Sequence, residues 1–277
     1  MSLPTIETVL AQIADTGLCM ANIDATEGAA GNISVFVGTE IEPPSFLPRH
    51  SLVELPVNVP HLADGSVVVT GSGKRLRDVG HAPEATICLL HVQPGGKDAV
   101  LYAADGVRPT TELNTHLAVH NDHARRRGLL YHAVVHAQPL RLTYLSHIQS
   151  YQDTARLNRR LLRWQPETIV EFPEGIAMLP FRVPGSEEQM HVSVDALARH
   201  RAVIWARHGI VTRADSGPAK AGDLVEYAEA AARYEYLNLV AGEPSSGLSD
   251  DEIRLICDQL HIQQDFFRTP VAPHLNQ

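Results

Sequence analysis

Five short segments of the sequence carry residue types that could do chemistry. Val134-Val135-His136-Ala137-Gln138-Pro139 offers an imidazole and an amide two residues apart. On a strand, positions i and i+2 share a face, so His136 and Gln138 would project together. A neutral imidazole is a good zinc ligand, and an amide oxygen is a weaker one. Trp205-Ala206-Arg207-His208-Gly209 ends an apolar run on a His followed by a Gly. The Gly lets another group approach the backbone closely. For both His136 and His208 the alternative is a hydrogen-bonded structural histidine. Pro109-Thr110-Thr111-Glu112-Leu113 puts a carboxylate in the first turn of an expected helix, near the positive end of its dipole. Glu112 is there a general base, a metal ligand or simply a favourable first-turn acid. A competing metal set is Glu112, His116 and His120, spaced by four along one helix face. Thr70-Gly71-Ser72-Gly73-Lys74 follows a short apolar run, and its two glycines free backbone N–H groups to curl around an anion. The spacing is not that of a Walker loop. Gly31-Asn32 is a second, weaker turn of this kind.

The elements that must position these residues follow from periodicity and punctuation. Ile6, Val9, Leu10 and Ile13 predict an amphipathic helix over 5–20. Ile33, Val35 and Val37 alternate as a half-buried strand. The Pro-containing stretch 38–65 reads as a strand remnant and a long surface loop. Strands are predicted at 67–69, 84–92 and 98–103, the last two separated by Pro94-Gly95-Gly96. Thr110 or Thr111 caps a helix running to about Arg127. Residues 131–138 form a strand, and Pro139 suits the first turn of a helix. A helix is predicted over 153–163 and a hairpin over 169–179. Ser186 caps a helix to about His200, and 202–206 is a buried strand that delivers His208. A helix covers about 217–241, and Ser249 with Glu252 forms a capping box for a last one. The expected fold is a single α/β domain over 1–277, with a largely antiparallel sheet covered by helices.

Composition narrows the partners. The chain has 32 acidic and 23 basic residues and a formal net charge of −9. That disfavours a nucleic-acid partner, which needs a basic face, but not a single phosphate held by backbone N–H groups. No apolar run is long enough to cross a membrane, so no membrane partner is expected. No Lys or Arg precedes Arg49, so a secretory signal is not expected. Three cysteines, without a C-x-x-C pair, predict small buried hydrophobes rather than disulfides, and a cytoplasmic location.

Taken in order, Gly31-Asn32-Ile33-Ser34, Thr70-Gly71-Ser72-Gly73-Lys74, Pro109-Thr110-Thr111-Glu112-Leu113, His136-Ala137-Gln138-Pro139 and Arg207-His208-Gly209 resemble the class II aldolase/adducin superfamily. Phe172-Pro173-Glu174-Gly175, Leu179-Pro180 and Val183-Pro184-Gly185 are similar to its rhamnulose 1-phosphate branch. The resemblance spans about residues 5 to 240. It implies an α/β/α domain with a central, mostly antiparallel sheet, a homotetramer with four-fold symmetry, and a zinc ion. It implies cleavage of a phosphorylated sugar, a ketose 1-phosphate, to dihydroxyacetone phosphate and an aldehyde. It assigns Gly31, Asn32, Ser72, Gly73, Thr110 and Thr111 to substrate or phosphate, Glu112 to catalysis, and His136 and His208 to zinc. Glu167 matches a second acidic residue that acts on the aldehyde half from a neighbouring subunit. The family pattern is His-x-His, whereas here the second position is Gln138, a third candidate ligand. That exchange leaves another divalent metal open. It also leaves open an epimerase, dehydratase or decarboxylase on the same scaffold, or a non-catalytic adducin-like binding module.

Overall fold

The computed structural model describes residues 3–47 and 49–267. In chain order its elements are α1 (Ile6–Asn22), β1 (Asn32–Val37), β2 (Arg49–Glu54), β3 (Ser66–Thr70), α2 (Pro83–Thr86), β4 (Ile87–Val92) and β5 (Asp98–Ala103). There follow α3 (Leu113–Arg127), β6 (Tyr131–Ala137), α4 (Leu140–His147), α5 (Thr154–Leu161), α6 (Pro166–Glu171) and β7 (Ala177–Leu179). The last are α7 (Glu187–Leu197), β8 (Ala202–Trp205), β9 (Gly209–Ala214), α8 (Pro218–Val240) and α9 (Asp250–Leu260). The strands form one sheet in the order β2-β5-β4-β3-β1-β6-β9-β8-β7. Every pairing is antiparallel except β7 with β8.

Strand alternation sorts the central residues between two helical layers. Ile33, Val35 and Val37 of β1, with Ala133, Val135 and Ala137 of β6, join Ile6, Val9 and Ile13 of α1 and Leu224, Val225 and Ala228 of α8 in one core. On the opposite face, Val134 packs with Val119 of α3 and Leu197 of α7, and Phe36 packs with Leu117 of α3. Each such fully buried aliphatic side chain contributes about 1.5–3 kcal/mol of transfer free energy. Both faces are therefore covered, as expected for an α/β/α arrangement.

Several sequence expectations change. Strand β1 is buried along its whole length, not half-buried. Its polar residues Asn32 and Ser34 point under α3 and find partners there. The stretch 38–65 contains a full edge strand, β2, paired residue for residue with β5. The first turn of 84–92 is helical, because Pro83 suits an N-terminal position and lacks the N–H a strand would need. Residues 169–179 are not a hairpin. Their first part continues α6, and after the Gly175 turn β7 runs parallel to β8. Strand β9, absent from the sequence reading, pairs β6 with β8. The capping box at Ser249 and Glu252 is present. No disulfide joins the cysteines, and among the described residues no helix is long and apolar enough to cross a membrane.

Candidate active site

Strand β1 begins where β3 and β6 end, and α3 begins beside them. The cleft at this edge is lined by Ala29, Ala30, Gly31, Asn32, Gly71, Ser72, Gly73, Thr110, Thr111, Glu112, His136, Gln138, Pro184 and His208. Its volume is 190 Å³. A larger cavity of 490 Å³, between α1, α4 and α8, lies elsewhere and takes in none of the sequence-predicted residues.

Glu112 is the N-cap of α3, one position earlier than a first-turn residue. The segment before it is clipped to β3 by Thr110 N–H donating to the Thr70 carbonyl at 3.1 Å. Thr110 Oγ1 accepts from the Glu112 N–H at 3.4 Å, and Glu112 itself holds the N-cap position. The Glu112 carboxylate is only 4% exposed. Burial on its own would raise its pKa. The adjoining His136, the Asn32 amide and His208 outweigh burial and hold the carboxyl below its usual range. Asn32 Nδ2 donates to Glu112 Oε2 at 2.8 Å.

His136 comes from the end of β6, opposite Asn32 in the register of β1. Its Nδ1 donates to the Ile210 carbonyl at 3.0 Å, which leaves Nε2 facing Glu112. His208 sits in the tight turn between β8 and β9, where Arg207 takes a left-handed backbone (φ 66°). Arg207 N–H is held by Ser146 Oγ at 2.7 Å. The His208 ring stacks on Trp205, and Trp205 Nε1 donates to Ser193 Oγ. Burial, aided by His136, pushes His208 down to about 4, so its imidazole is neutral near pH 7.

Glu112, His136 and His208 each bring one donor atom to a common point, all within 4.8 Å of one another. The carboxylate oxygens lie 3.8 Å from His136 Nε2 and 3.7 Å from His208 Nε2. Both separations are too long for hydrogen bonds. They suit donors that share a small cation, which bonds each at about 2.0–2.2 Å. His208 Nδ1 is buried with no hydrogen-bond partner among the described residues. One carboxylate and two imidazoles form a donor set that fits a divalent metal.

Gln138 lines the same cleft. The competing stripe is split: His116 and His120 turn their nitrogens to Asn32 and Ser34, and only Glu112 reaches the cleft. Glu167 lies exposed in the first turn of α6 and does not line the cleft of its own chain. The sequence reading missed Pro184 as a cleft residue. Its loop is tied to α3 by Asn114 Nδ2 donating to the Gly185 carbonyl at 2.9 Å. It also missed Ser34, although the i, i+2 relation to Asn32 was available as a signal.

The family model for the class II aldolase and adducin N-terminal domain matches residues 11–236. The chain is 30% identical over 219 residues to a rhamnulose-1-phosphate aldolase of Mannheimia succiniciproducens, covering 78% of each chain. It is 29% identical over 257 residues to a Yersinia pestis protein of the same name, covering 90% of each. It superposes on a sugar-phosphate aldolase of Thermotoga maritima with a TM-score of 0.72 and 29% identity, covering 87% of this chain and 99% of that one.

Gly209 opens β9 directly against the end of β6. A Cβ there would meet the Ala137 carbonyl oxygen at 2.3 Å and His136 Cε1 at 3.1 Å. We therefore predict that Gly209→Ala costs about 1–3 kcal/mol, a fall in Tm of roughly 3–10 °C. Gly80→Ala, whose Cβ would meet only Ala14 Cβ at 3.4 Å, is the control for thermal melts. Equal melting temperatures for the two variants would show that β9 can move away from β6.

Proposed function

This chain belongs to the class II aldolase and adducin family and is a class II aldolase, a carbon–carbon lyase; we propose that it cleaves rhamnulose 1-phosphate, or a closely related ketose 1-phosphate, to dihydroxyacetone phosphate and an aldehyde. The observation that carries this reading is the convergence of Glu112, His136 and His208 in an open cleft flanked by glycine and threonine loops. An adducin-like binding module would need neither a buried carboxylate between two imidazoles nor a cleft leading to it.

His136, His208 and Glu112 would hold a divalent metal, with Gln138 beside them, and we assign zinc to that place. A divalent cation held there would supply Lewis-acid polarisation of the substrate carbonyl and stabilise negative charge on the dihydroxyacetone phosphate half. Glu112 removes the C3 proton in condensation and, in cleavage, must first take up a proton before returning one to C3. Its short reach from the α3 N-cap and the tie to Asn32 orient it for this. The phosphate is held at Gly31, Asn32, Ser72, Gly73, Thr110 and Thr111. Two amides of this cradle already serve the backbone, since Ser72 N–H donates to the Arg108 carbonyl and Thr110 N–H to that of Thr70. The threonine and serine hydroxyls and the Gly73 amide therefore carry more of the anion's solvation. Binding the remote phosphate orients the reacting carbon. Glu167 takes the hydroxyl proton of the aldehyde half in a neighbouring copy of a cytoplasmic homotetramer, each copy a single domain.

If His136 and His208 share one ion, His136→Ala and His208→Ala each lower bound metal and activity together. Elemental analysis reads this directly, and stoichiometric metal in the double variant would remove the assignment. Glu112→Gln keeps the size but not the base, so kcat falls on the order of 10² or more with a modest change in KM. Unchanged kcat would reduce Glu112 to a helix-terminal acid. Gln138→His restores a third imidazole on the strand face shared with His136, and zinc affinity should rise in competition with a chelator. Release of dihydroxyacetone phosphate should rise with it. Tighter zinc without faster cleavage would mark Gln138 as an adaptation to different chemistry.

A further inference from the structure

Behind Glu112 runs a vein of polar side chains that the chemistry above does not use. It lies between the sheet and α3. Asn32 Oδ1 meets His116 Nε2 at 2.5 Å. His116 Nδ1 lies 2.6 Å from Ser34 Oγ, and the same oxygen lies 2.7 Å from His120 Nε2. His120 Nδ1 lies 2.8 Å from His132 Nδ1. Ser34, His116, His120 and His132 are completely buried.

One fixed point sets every proton in this vein. Ionised Glu112 can only accept, so Asn32 must turn its NH₂ to the carboxylate and its oxygen to His116. That oxygen accepts, so His116 carries its proton on Nε2. A neutral imidazole has one donor, so His116 Nδ1 accepts from the Ser34 hydroxyl. Ser34 has a single proton, so its oxygen accepts from His120 Nε2–H. His120 Nδ1 then accepts from His132 Nδ1–H. The chain ends at His132 Nε2, a bare acceptor, and this atom has no hydrogen-bond partner among the described residues. Neutral rings agree with their burial, which lowers His116 to about 4 and takes His120 and His132 well below their ordinary value. All five bonds point toward Glu112. Reversing them would set the Asn32 oxygen against the carboxylate.

We propose that His116 is a positioning residue: locked with its proton on Nε2 by Ser34 and the histidines behind it, it holds the Asn32 amide facing Glu112, so that Oε2 stays tied and Oε1 stays directed at His208. This rests on the reading of Glu112 as the proton-transfer group. Asn32 cannot rotate its amide without breaking the His116 bond, so the carboxylate keeps one orientation through turnover. The consequence falls on kcat rather than on substrate affinity.

Two measurements test this. In zinc-loaded protein with ¹⁵N-labelled histidine at pH 7.5, His116 and His120 should be neutral with protons on Nε2, and His132 neutral with its proton on Nδ1. Single variants assign the resonances. A His116 protonated on Nδ1, or charged, overturns the proposal whether or not the protein proves to be an aldolase. In kinetics, His116→Phe keeps the ring but loses the bond, whereas His116→Gln places an amide N–H near the Nε2 position. His116→Phe should lower kcat about 10- to 100-fold, with KM within about three-fold and bound zinc unchanged. His116→Gln should recover most of that loss. Equal losses in both variants, or a loss confined to KM, overturn the proposal. If His116→Phe fails to fold, Ser34→Ala replaces it: a mixed His116 tautomer with reduced kcat supports the lock, and an unchanged tautomer and kcat refute it. Absence of turnover in the wild type would overturn the aldolase reading, while the tautomers would still decide the direction of the chain.

Discussion

A carboxylate buried to 4% exposure is tolerated only where donors surround it, and Glu112 is such a group. The effective cost of burying an unpaired ion is several kcal/mol. Here the Asn32 amide and the N-terminus of α3 offset it, and a cation shared with His136 and His208 would offset it further. Each donor comes from a different element, so the site exists only if β1, β6 and the turn before β9 meet in one register. They do: Asn32 lies opposite His136, and His136 lies opposite Val211.

The register is secured from the other side of the sheet. Ile33, Val35 and Val135 are fully buried against α1 and α8. A slip of one residue would turn these apolar side chains into the polar vein and the vein into the core. Apolar packing on one face thus fixes polar geometry on the other. The separation is also chemical, because a buried polar vein is stable only while its members hydrogen-bond to one another. Ser34 illustrates this by serving two imidazoles at once.

Close backbone approach supplies the remaining precision. A Cβ at Gly31 would come within 2.9 Å of the His136 carbonyl, and one at Gly185 within 2.8 Å of the Thr111 carbonyl. Both glycines have positive φ. They allow the loops on either side of the cleft to lie directly on the segments that carry His136 and Glu112. Arg207 accepts a left-handed conformation in the turn before His208, where Ser146 holds its amide. The candidate metal ligands are therefore borne on short, tied connections rather than on free loops.

Much of this was legible in the sequence. Helical period and end signals marked α1, α7 and α9, because those signals act within a few residues of chain. Glu112, His136 and His208 stood out by type and by neighbouring Gly or Pro, and the fold brings them together. What escaped depended on partners distant in sequence. The helix read as a hairpin at 169–179 and the missed strand β9 owe their states to packing against α8 and to pairing with β6 and β8. The polar residues of β1 read as an exposed face, yet Ser34 is buried against His116, 82 positions away. Local pattern reports which side chains avoid water and how the chain repeats. Whether a polar side chain meets solvent or a buried partner is decided only when the sheet closes under α3.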